Sequence, residues 1–453
     1  MSRWSRARTS GILEPCCLDG GLSSADPRPS RSLPPTVQLR TPLNPLLPPR
    51  LPRLDALRGV AILGVILFHI FGALYLFEVP SFDPATGRPD LVAHYGGRLP
   101  ALLSPLRVGV EGVMLFFVVS GFCIHLGTLQ WWRSQGERGR WGVFFAEFTV
   151  RRMLRLYPAY LVALLIFSFW FCTERVDLSD SADRFHFVSH LFLFHNLLPE
   201  TRLTINGSFW SIGTEVQLYA VYPLLLLFIW NRLWIPLVAA GLFLFTWFYL
   251  KVMPGRALFI VTQVPFSFWI FWGLGALLAR GWVENRPILG WYAPLWLLGL
   301  LGGLLVGGFY WQPLLHWEWI VRPLFFVLAT ERFLQRDRAG VPLNRLERLL
   351  VFVGIPSYSL YLIHQPPLGF VIDWLKRWAW QESPYLVTAA AFLLVPLFLL
   401  ALALPFYRWI EVPSHQFARA AGGRLRGWLA TRCAALPRPA RVAARETNPG
   451  DPT

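Results

Sequence analysis

The chain has 453 residues, of which 55% are hydrophobic and only 15% are charged, whereas soluble domains carry roughly a quarter charged residues. Apolar runs of about 20 residues recur along most of the length, which excludes an ordinary soluble domain and is typical of membrane-spanning helices. The net charge of +16 lies mostly in tails and short loops, so it indicates membrane topology and affinity for anionic lipid rather than nucleic-acid binding.

The hydropathy pattern predicts an all-α, polytopic membrane protein with about ten transmembrane helices. The apolar runs are continuous rather than alternating, which argues against a barrel. Residues 1–52 are predicted to form a disordered basic tail, residues 53–412 the transmembrane domain, and residues 413–453 a disordered tail rich in Arg, Ala and Pro. The predicted spans are 54–77, 108–130, 153–173, 208–230, 233–250, 257–279, 291–310, 316–331, 351–374 and 385–410.

The distribution of basic residues orients these spans. With ten spans both tails lie on one side of the membrane, and that side carries 29 Lys and Arg against 10 on the other. Because basic loops remain in the cytoplasm, we predict that both termini are cytoplasmic and that the protein is a multi-pass protein of the plasma (inner) membrane.

The first span carries ionisable side chains that are costly within a bilayer. Arg58 and His69 are eleven residues apart, which places them on one helix face about 16 Å apart along the axis. Asp55 can pair with Arg58 at the cytoplasmic mouth, either as an ordinary interfacial ion pair or as part of a site. Such groups in a span typically face a protein interior or a wet cavity, so we interpret His69 as functional rather than structural.

The second and third spans add two further candidates. Ser120, followed by Gly121, provides a small surface for helix packing, and a nucleophilic role would need a base beside it. Arg151, Arg152 and Arg155 at the start of span 153–173 are either a topology signal or an anion clamp for a phosphorylated donor.

Two later segments place polar groups inside apolar runs. Glu215 lies about two turns into span 208–230, where an unpaired carboxylate is expected to face a cavity, and Trp210 precedes it. Tyr361 and His364 lie in span 351–374, so His364 is a second intramembrane histidine.

The outer loop 174–207 contains His186, His190 and His195. Two of these histidines have the i, i+4 spacing of metal ligands, but the loop contains no cysteine. The alternative is an interfacial segment with incidental histidines, and the cysteines suggest neither a disulfide framework nor a zinc site. We therefore predict no metal.

Taken together, the chain resembles the membrane-bound acyltransferases of the acyltransferase-3 family over roughly residues 50–412. The resemblance depends on several motifs in order: arginine, ten residues and histidine (Arg58, His69), FFxxSGF (Phe116–Phe122), RRxxRxxP (Arg151, Arg152, Arg155, Pro158), WSxxxE (Trp210, Ser211, Glu215) and YSxYLxH (Tyr358, Tyr361, His364). The resemblance implies O-acylation, usually O-acetylation, of an extracytoplasmic carbohydrate, with a cytoplasmic acyl-coenzyme A (acyl-CoA) as donor.

The residues and the resemblance together suggest a mechanism. Arg58, Arg151, Arg152 and Arg155 would bind the coenzyme A phosphates, while His69 would act as general base or acyl acceptor. Glu215 would orient His69 or tune its charge, and Trp210 would stack on a sugar of a glycan or lipid-linked acceptor. The alternatives are a transporter or flippase of an acyl group or lipid-linked sugar, which would form no new ester, and a scaffold subunit of a glycan-assembly complex. The oligomeric state is not predicted.

Overall fold

Every regular element in the described part of the computed structural model is a helix. The structure describes residues 51–75, 83, 86, 88–135, 141–171, 175–229, 265–311, 314 and 318–435, all in one compact unit. The predicted tail up to residue 50, the span 233–250 and the start of span 257–279 lie outside these residues. The elements in chain order are α1 (Pro52–Leu74), α2 (Leu91–Tyr95), α3 (Arg98–Leu103), a 3₁₀ segment (Ser104–Glu111), α4 (Gly112–Gln135), α5 (Trp141–Phe169), α6 (Ser181–Leu191), a 3₁₀ turn (His195–Leu197), α7 (Trp210–Ile229), α8 (Pro265–Glu284), α9 (Leu295–Gly308), α10 (Glu318–Arg338), α11 (Arg345–Gly354), α12 (Ser357–Ile363), α13 (Gln365–Ala379), α14 (Pro384–Phe406), a π-helical turn (Tyr407–Glu411) and α15 (Val412–Ala435).

The long apolar helices have the dimensions of membrane spans. Four described segments are long and apolar enough to cross a bilayer: Pro52–Leu74, Arg98–Ser134, Trp141–Phe169 and Pro384–Leu429. A fifth results if α11 and α12, which meet at a bend of 57°, count as one span. The described residues are thus all-helical, with four or five helices that suit a membrane protein, whereas the number of ten spans and the cytoplasmic termini stay predictions.

Helix α5 begins earlier than the sequence suggested. The predicted loop 131–155 is largely helical, because α4 continues to Gln135 and α5 starts at Trp141. The basic motif therefore lies in the middle turns of α5 rather than at its start. A rigid helix fixes which of its arginines share a face.

The predicted span 351–374 is not one straight helix. It divides into the end of α11, α12 and most of α13. Pro356 lies at the first break, and Pro366 lies at the start of α13. Proline lacks the N–H that would continue the hydrogen-bond ladder and clashes with the preceding turn, so the chain bends at these positions.

The C-terminal tail, predicted to be disordered from residue 413, contains a long helix. Helix α15 continues from α14 through the π-helical turn and packs against α5. The approach is close: a Cβ atom built on Gly422 would lie 2.5 Å from Cγ of Arg151. The tail prediction was therefore wrong for residues 413–435, and residues 436–453 lie outside the described part.

The first turn of α1 is anchored by a buried arginine. The Arg53 side chain is 1% exposed, and its guanidinium pairs with Asp337 at 2.6 Å and Glu347 at 3.0 Å. It also donates hydrogen bonds to the carbonyls of Val341 and Pro342. These contacts compensate the buried charge of Arg53. They also join the start of α1 to the connection between α10 and α11.

Helices α4 and α8 meet along glycines. A Cβ atom on Gly121 would lie 1.9 Å from the carbonyl oxygen of Trp272, and one on Gly275 would lie 2.0 Å from the carbonyl oxygen of Val118. Neither backbone oxygen can move without shifting its helix. The contacts of Gly121 with Trp272 and of Gly275 with Val118 therefore set the separation of α4 and α8, as small residues do in membrane bundles.

Two histidines of the outer segment form a buried ring stack. The rings of His190 and His195 are stacked with centroids 3.9 Å apart, and both side chains are fully buried. Nδ1 of His190 donates to the carbonyl of His186 at 2.8 Å. Burial lowers the pKa of His190 to about 4 and that of His195 well below its usual value. This pair therefore packs as neutral rings between α6 and α7.

We predict that Gly121→Ala strongly destabilises the protein, because the added methyl group collides with the backbone of α8. Overpacking of a tight core costs about 1–3 kcal/mol or more. Gly127→Ala is the matched control on the same helix, since nothing lies within 4 Å of its Cβ position. The measurement is the thermal unfolding midpoint in detergent, and equal midpoints for the two variants would contradict the close contact.

We also predict that stability decreases as the pH falls from about 6.5, the unfolded histidine pKa, towards about 4, the folded value for His190. In this window the unfolded chain binds more protons, so the free energy of unfolding falls by up to about 1.4 kcal/mol per pH unit for each histidine. His190→Phe keeps a ring and removes one proton site, so its decline should be shallower than that of the wild type. The readout is the unfolding midpoint against pH, and identical slopes for wild type and His190→Phe would refute the assignment.

Candidate functional site

A central cavity collects side chains from every motif of the sequence. It has a volume of about 110 Å³, which is room for several water molecules or a short acyl group. Helices α1, α4, α5, α7 and α12 supply its walls. The lining residues are Arg58, Val113, Phe116, Phe117, Val119, Ser120, Cys123, Ile124, Arg152, Arg155, Leu156, Ser211, Ile212, Glu215, Tyr219, Ser357, Tyr358 and Tyr361.

Glu215 provides the negative charge of this cavity. Its Oε1 accepts a hydrogen bond from Ser120 Oγ at 2.7 Å and another from Tyr219 OH at 2.5 Å. Tyr219 lies one turn further along α7, so both residues are on the same helix face. The serine predicted as a packing surface or nucleophile thus donates to the carboxylate, which is fixed between α4 and α7.

Arg58 reaches the cavity from α1. Its Nη1 donates to Asp55 Oδ1 at 2.9 Å, as the i, i+3 spacing predicted. Its Nη2 lies 3.3 Å from Cys123 Sγ. The guanidinium is therefore positioned between its own helix and α4, on the wall that also carries Ser120.

The three arginines of the basic motif divide into two groups. Arg152 and Arg155 line the central cavity and also a second pocket of about 210 Å³ beside it. Arg151 lines the second pocket and pairs with Glu147 at 2.9 Å. Arg152 also lies 5.8 Å from the ring of Tyr219, within cation–π range. Two of the predicted anion-binding arginines therefore face both spaces at once.

The predicted catalytic histidine has a partner that the sequence did not reveal. The ring centroids of His69 and His364 are 5.1 Å apart, and His364 is fully buried. Because a carbonyl can only accept, the 2.7 Å contact between His364 Nδ1 and the Tyr361 carbonyl assigns the proton to Nδ1 and leaves Nε2 as the basic nitrogen. The two histidines form a pair of rings beside the residues that line the cavity.

Glu215 is predicted to orient His69 or tune its charge, and that role stays a prediction. Its hydrogen bonds go to Ser120 and Tyr219, whereas the ring against His69 is that of His364. Ser120 and Tyr219 therefore hold the carboxylate of Glu215. The histidine lies on α1 and the carboxylate on α7. The distance between His69 and Glu215 therefore depends on how these two helices pack, which the sequence does not show directly.

Tyr361 links the cavity to the histidine pair. Its hydroxyl accepts a hydrogen bond from Ser211 Oγ at 2.7 Å and donates to the Ser208 carbonyl at 3.1 Å, while its own carbonyl binds His364. Trp210, predicted to stack on a sugar, is half-buried. Its ring contacts the Arg202 guanidinium at 4.9 Å and the Phe268 ring at 5.4 Å.

Five polar lining residues were not chosen as candidates from the sequence, among them Ser357, four residues before Tyr361. Cys123 lies one turn after Ser120, Tyr219 one turn after Glu215, and Tyr358 one turn before Tyr361, while Ser211 precedes Glu215 by four residues. The i, i+3 and i, i+4 spacing around each motif residue was the signal that could have identified them.

Comparison with known proteins supports the motif-based resemblance. The sequence model of a family described as an acyltransferase domain, the acyltransferase-3 family, matches residues 51–408. This range contains every residue that lines the central cavity. No solved structure matches the chain.

Two curated bacterial relatives are similar to most of the chain. The peptidoglycan O-acetyltransferase OatA of Listeria monocytogenes is 24% identical over 405 residues, which is 80% of this chain and 55% of the relative. The O-acetyltransferase OatA of Staphylococcus aureus is 24% identical over 396 residues, 81% of this chain and 57% of the relative. The chain spans little more than half the length of these relatives. Since the family match covers most of the chain and the whole cavity, this protein belongs to the acyltransferase-3 family of acyl-transferring enzymes, as its motifs predicted.

Proposed function

We propose that this protein transfers an acyl group, acetyl in the simplest case, from cytoplasmic acyl-CoA to a hydroxyl of an extracytoplasmic carbohydrate or glycolipid. The observation that supports this proposal is the convergence of the motifs on one cavity. Arg58, Arg152 and Arg155 share its wall with Glu215, and His69 on α1 lies against His364, which caps the end of α12.

The proposed donor matches the charge of the site. Coenzyme A carries phosphate groups, and arginine is the side chain best suited to hold phosphate through paired hydrogen bonds. With phosphates at Arg152 and Arg155, the pantetheine arm would carry the thioester into the central cavity. A cavity of about 110 Å³ accommodates a short acyl group better than a long one.

The proposed orientation places donor and acceptor on opposite sides. Both termini would be cytoplasmic, as the excess of basic residues on that side requires, with about ten spans in the plasma membrane. Arg58 in the second turn of α1 would then face the cytoplasmic donor. His69, about 16 Å further along the helix, would lie towards the external acceptor.

The proposed chemistry uses His69 as general base. The acceptor oxygen attacks the thioester carbonyl while its proton passes to the imidazole, the C–S bond breaks, and the coenzyme A sulfur takes the proton on leaving. In the two-step alternative the imidazole nitrogen attacks first, coenzyme A leaves as the thiol, and the hydroxyl then attacks the acyl-imidazole. His364, held by the Tyr361 carbonyl, would position the His69 ring in either case.

The acceptor is proposed from chemistry and from the relatives. The OatA relative from Listeria monocytogenes is named for peptidoglycan, so a peptidoglycan hydroxyl is the first acceptor to test. Lipid-linked sugars and surface polysaccharides present the same hydroxyl nucleophile.

We predict that His69→Ala lowers acetyl transfer by about 10²–10⁴-fold, the range expected for loss of a general base. The assay follows labelled acetyl from acetyl-CoA to glycan in membranes that contain equal amounts of each variant. His94→Ala, on the outer helix α2, is the control and should retain activity. Full activity of His69→Ala would contradict the assignment of His69 as general base. A change in the location of the acceptor without a new ester would favour the transporter alternative.

We further predict that donor binding protects Cys123, which lines the central cavity. In a variant that retains Cys123 and lacks Cys16, Cys17, Cys172 and Cys433, desulfo-CoA should slow maleimide labelling several-fold. The phosphate-free fragment panthenol should give no protection, because it offers nothing to the arginines. Labelling that desulfo-CoA leaves unchanged would contradict the placement of the donor.

A further inference from the structure

A second pocket lies directly beside the central cavity. It has a volume of about 210 Å³ and shares Ile124, Arg152 and Arg155 with the central cavity. Helices α4, α5 and α15 form its walls. The lining residues are Ile124, Gly127, Thr128, Trp131, Phe144, Glu147, Phe148, Arg151, Arg152, Arg155, His415, Ala418 and Arg419.

The wall supplied by α15 lies outside the region that defines the family. The family match ends at residue 408, whereas α15 spans Val412–Ala435. His415, Ala418 and Arg419 follow the i, i+3, i+4 spacing and so present one face of α15 to the pocket. The family motifs therefore account for only part of this pocket.

Glu147 fastens α15 at this position. Its carboxylate, 2% exposed, pairs with Arg151 at 2.9 Å and lies 3.8 Å from Arg426 on α15. Trp131 Nε1 donates to the same carboxylate at 2.8 Å. The contact of Gly422 with the Arg151 side chain brings the two helices together at the same level. The position of Arg419 is thus set by packing rather than by a free tail.

The charge of the second pocket suits an anion. Four arginines line it, and the acidic lining residue, Glu147, is already engaged by Arg151 and Arg426, while Glu411 behind the wall lies 3.6 Å from His415. A pocket with this excess of guanidinium groups favours phosphate, which accepts several charge-assisted hydrogen bonds.

We propose that helix α15 completes the donor site, with Arg419 as a donor-positioning residue and His415 beside it in the same wall. This inference deepens the proposed function and rests on it. Phosphate groups of the acyl-CoA occupy the second pocket between Arg419 and the shared pair of Arg152 and Arg155. The thioester then extends past that pair into the central cavity.

The test compares Arg419→Gln with Arg424→Gln, an exposed arginine on the same helix that does not line the pocket. Binding of desulfo-CoA is measured in neutral-lipid nanodiscs, and acetyl transfer is measured in parallel. Arg419→Gln should weaken desulfo-CoA binding and raise the KM for acetyl-CoA about tenfold, with little change in kcat. Arg424→Gln should match wild type, and Arg419→Lys, which keeps the charge, should recover part of the affinity.

The outcomes separate this inference from the proposed function. If wild type neither binds desulfo-CoA nor transfers acetyl from acetyl-CoA, the proposed donor is wrong. If wild type binds and Arg419→Gln behaves like Arg424→Gln, the donor stands and the role of α15 is overturned.

A lipid headgroup offers the same phosphate chemistry, so the measurement is repeated with phosphatidylglycerol in the nanodiscs. An Arg419→Gln effect that appears only with this anionic lipid, as altered lipid retention, would overturn the donor assignment of Arg419. Unchanged unfolding midpoints of the variants show that the helix is still in place.

Discussion

The structure depends on the requirement that charged groups inside an apolar helical bundle be compensated by one another. Glu215 lies in the apolar helix α7, where a carboxylate without partners would be costly. It accepts hydrogen bonds from Ser120 and Tyr219 and shares a cavity with arginines from two other helices. Removing any member leaves a polar group without its counterpart, so the motifs constrain one another. The same requirement that stabilises the bundle therefore brings guanidinium groups and a carboxylate to one space.

Contacts that lie away from the central cavity fix the positions of the helices that form it. The glycine contact between α4 and α8 fixes the helix that carries Ser120, and the Arg53 ion pairs fix the first turn of α1, which carries Arg58 one turn later. Neither anchor touches the cavity. Each acts by setting the position of a helix, and a small shift of either helix would separate groups that must lie within hydrogen-bonding distance.

Predictions from the sequence were accurate where the signal is local and failed where it is not. Asp55 and Arg58 pair as their spacing predicted, because residues three apart on a helix are neighbours whatever surrounds them. The contact of His69 with His364 was not predicted, because His364 lies almost 300 residues away along the chain and only the packing of α1 against the end of the bent α12 brings the rings together. The helix at 412–435 was missed because its polar composition has no apolar run, and its stability comes from contacts with α5.

By itself, the sequence determined the helical membrane class, the family and the residues of the five motifs, since hydropathy and motif spacing are properties of short stretches of chain. Only the tertiary structure decided that Arg58, Arg152, Arg155 and Glu215 line one cavity, that Tyr361 joins it to the histidine pair, and that α15 closes a second pocket beside it. The physical reason is that these contacts join separate helices. Their geometry depends on helix packing, glycine contacts and proline bends acting together rather than on any local pattern.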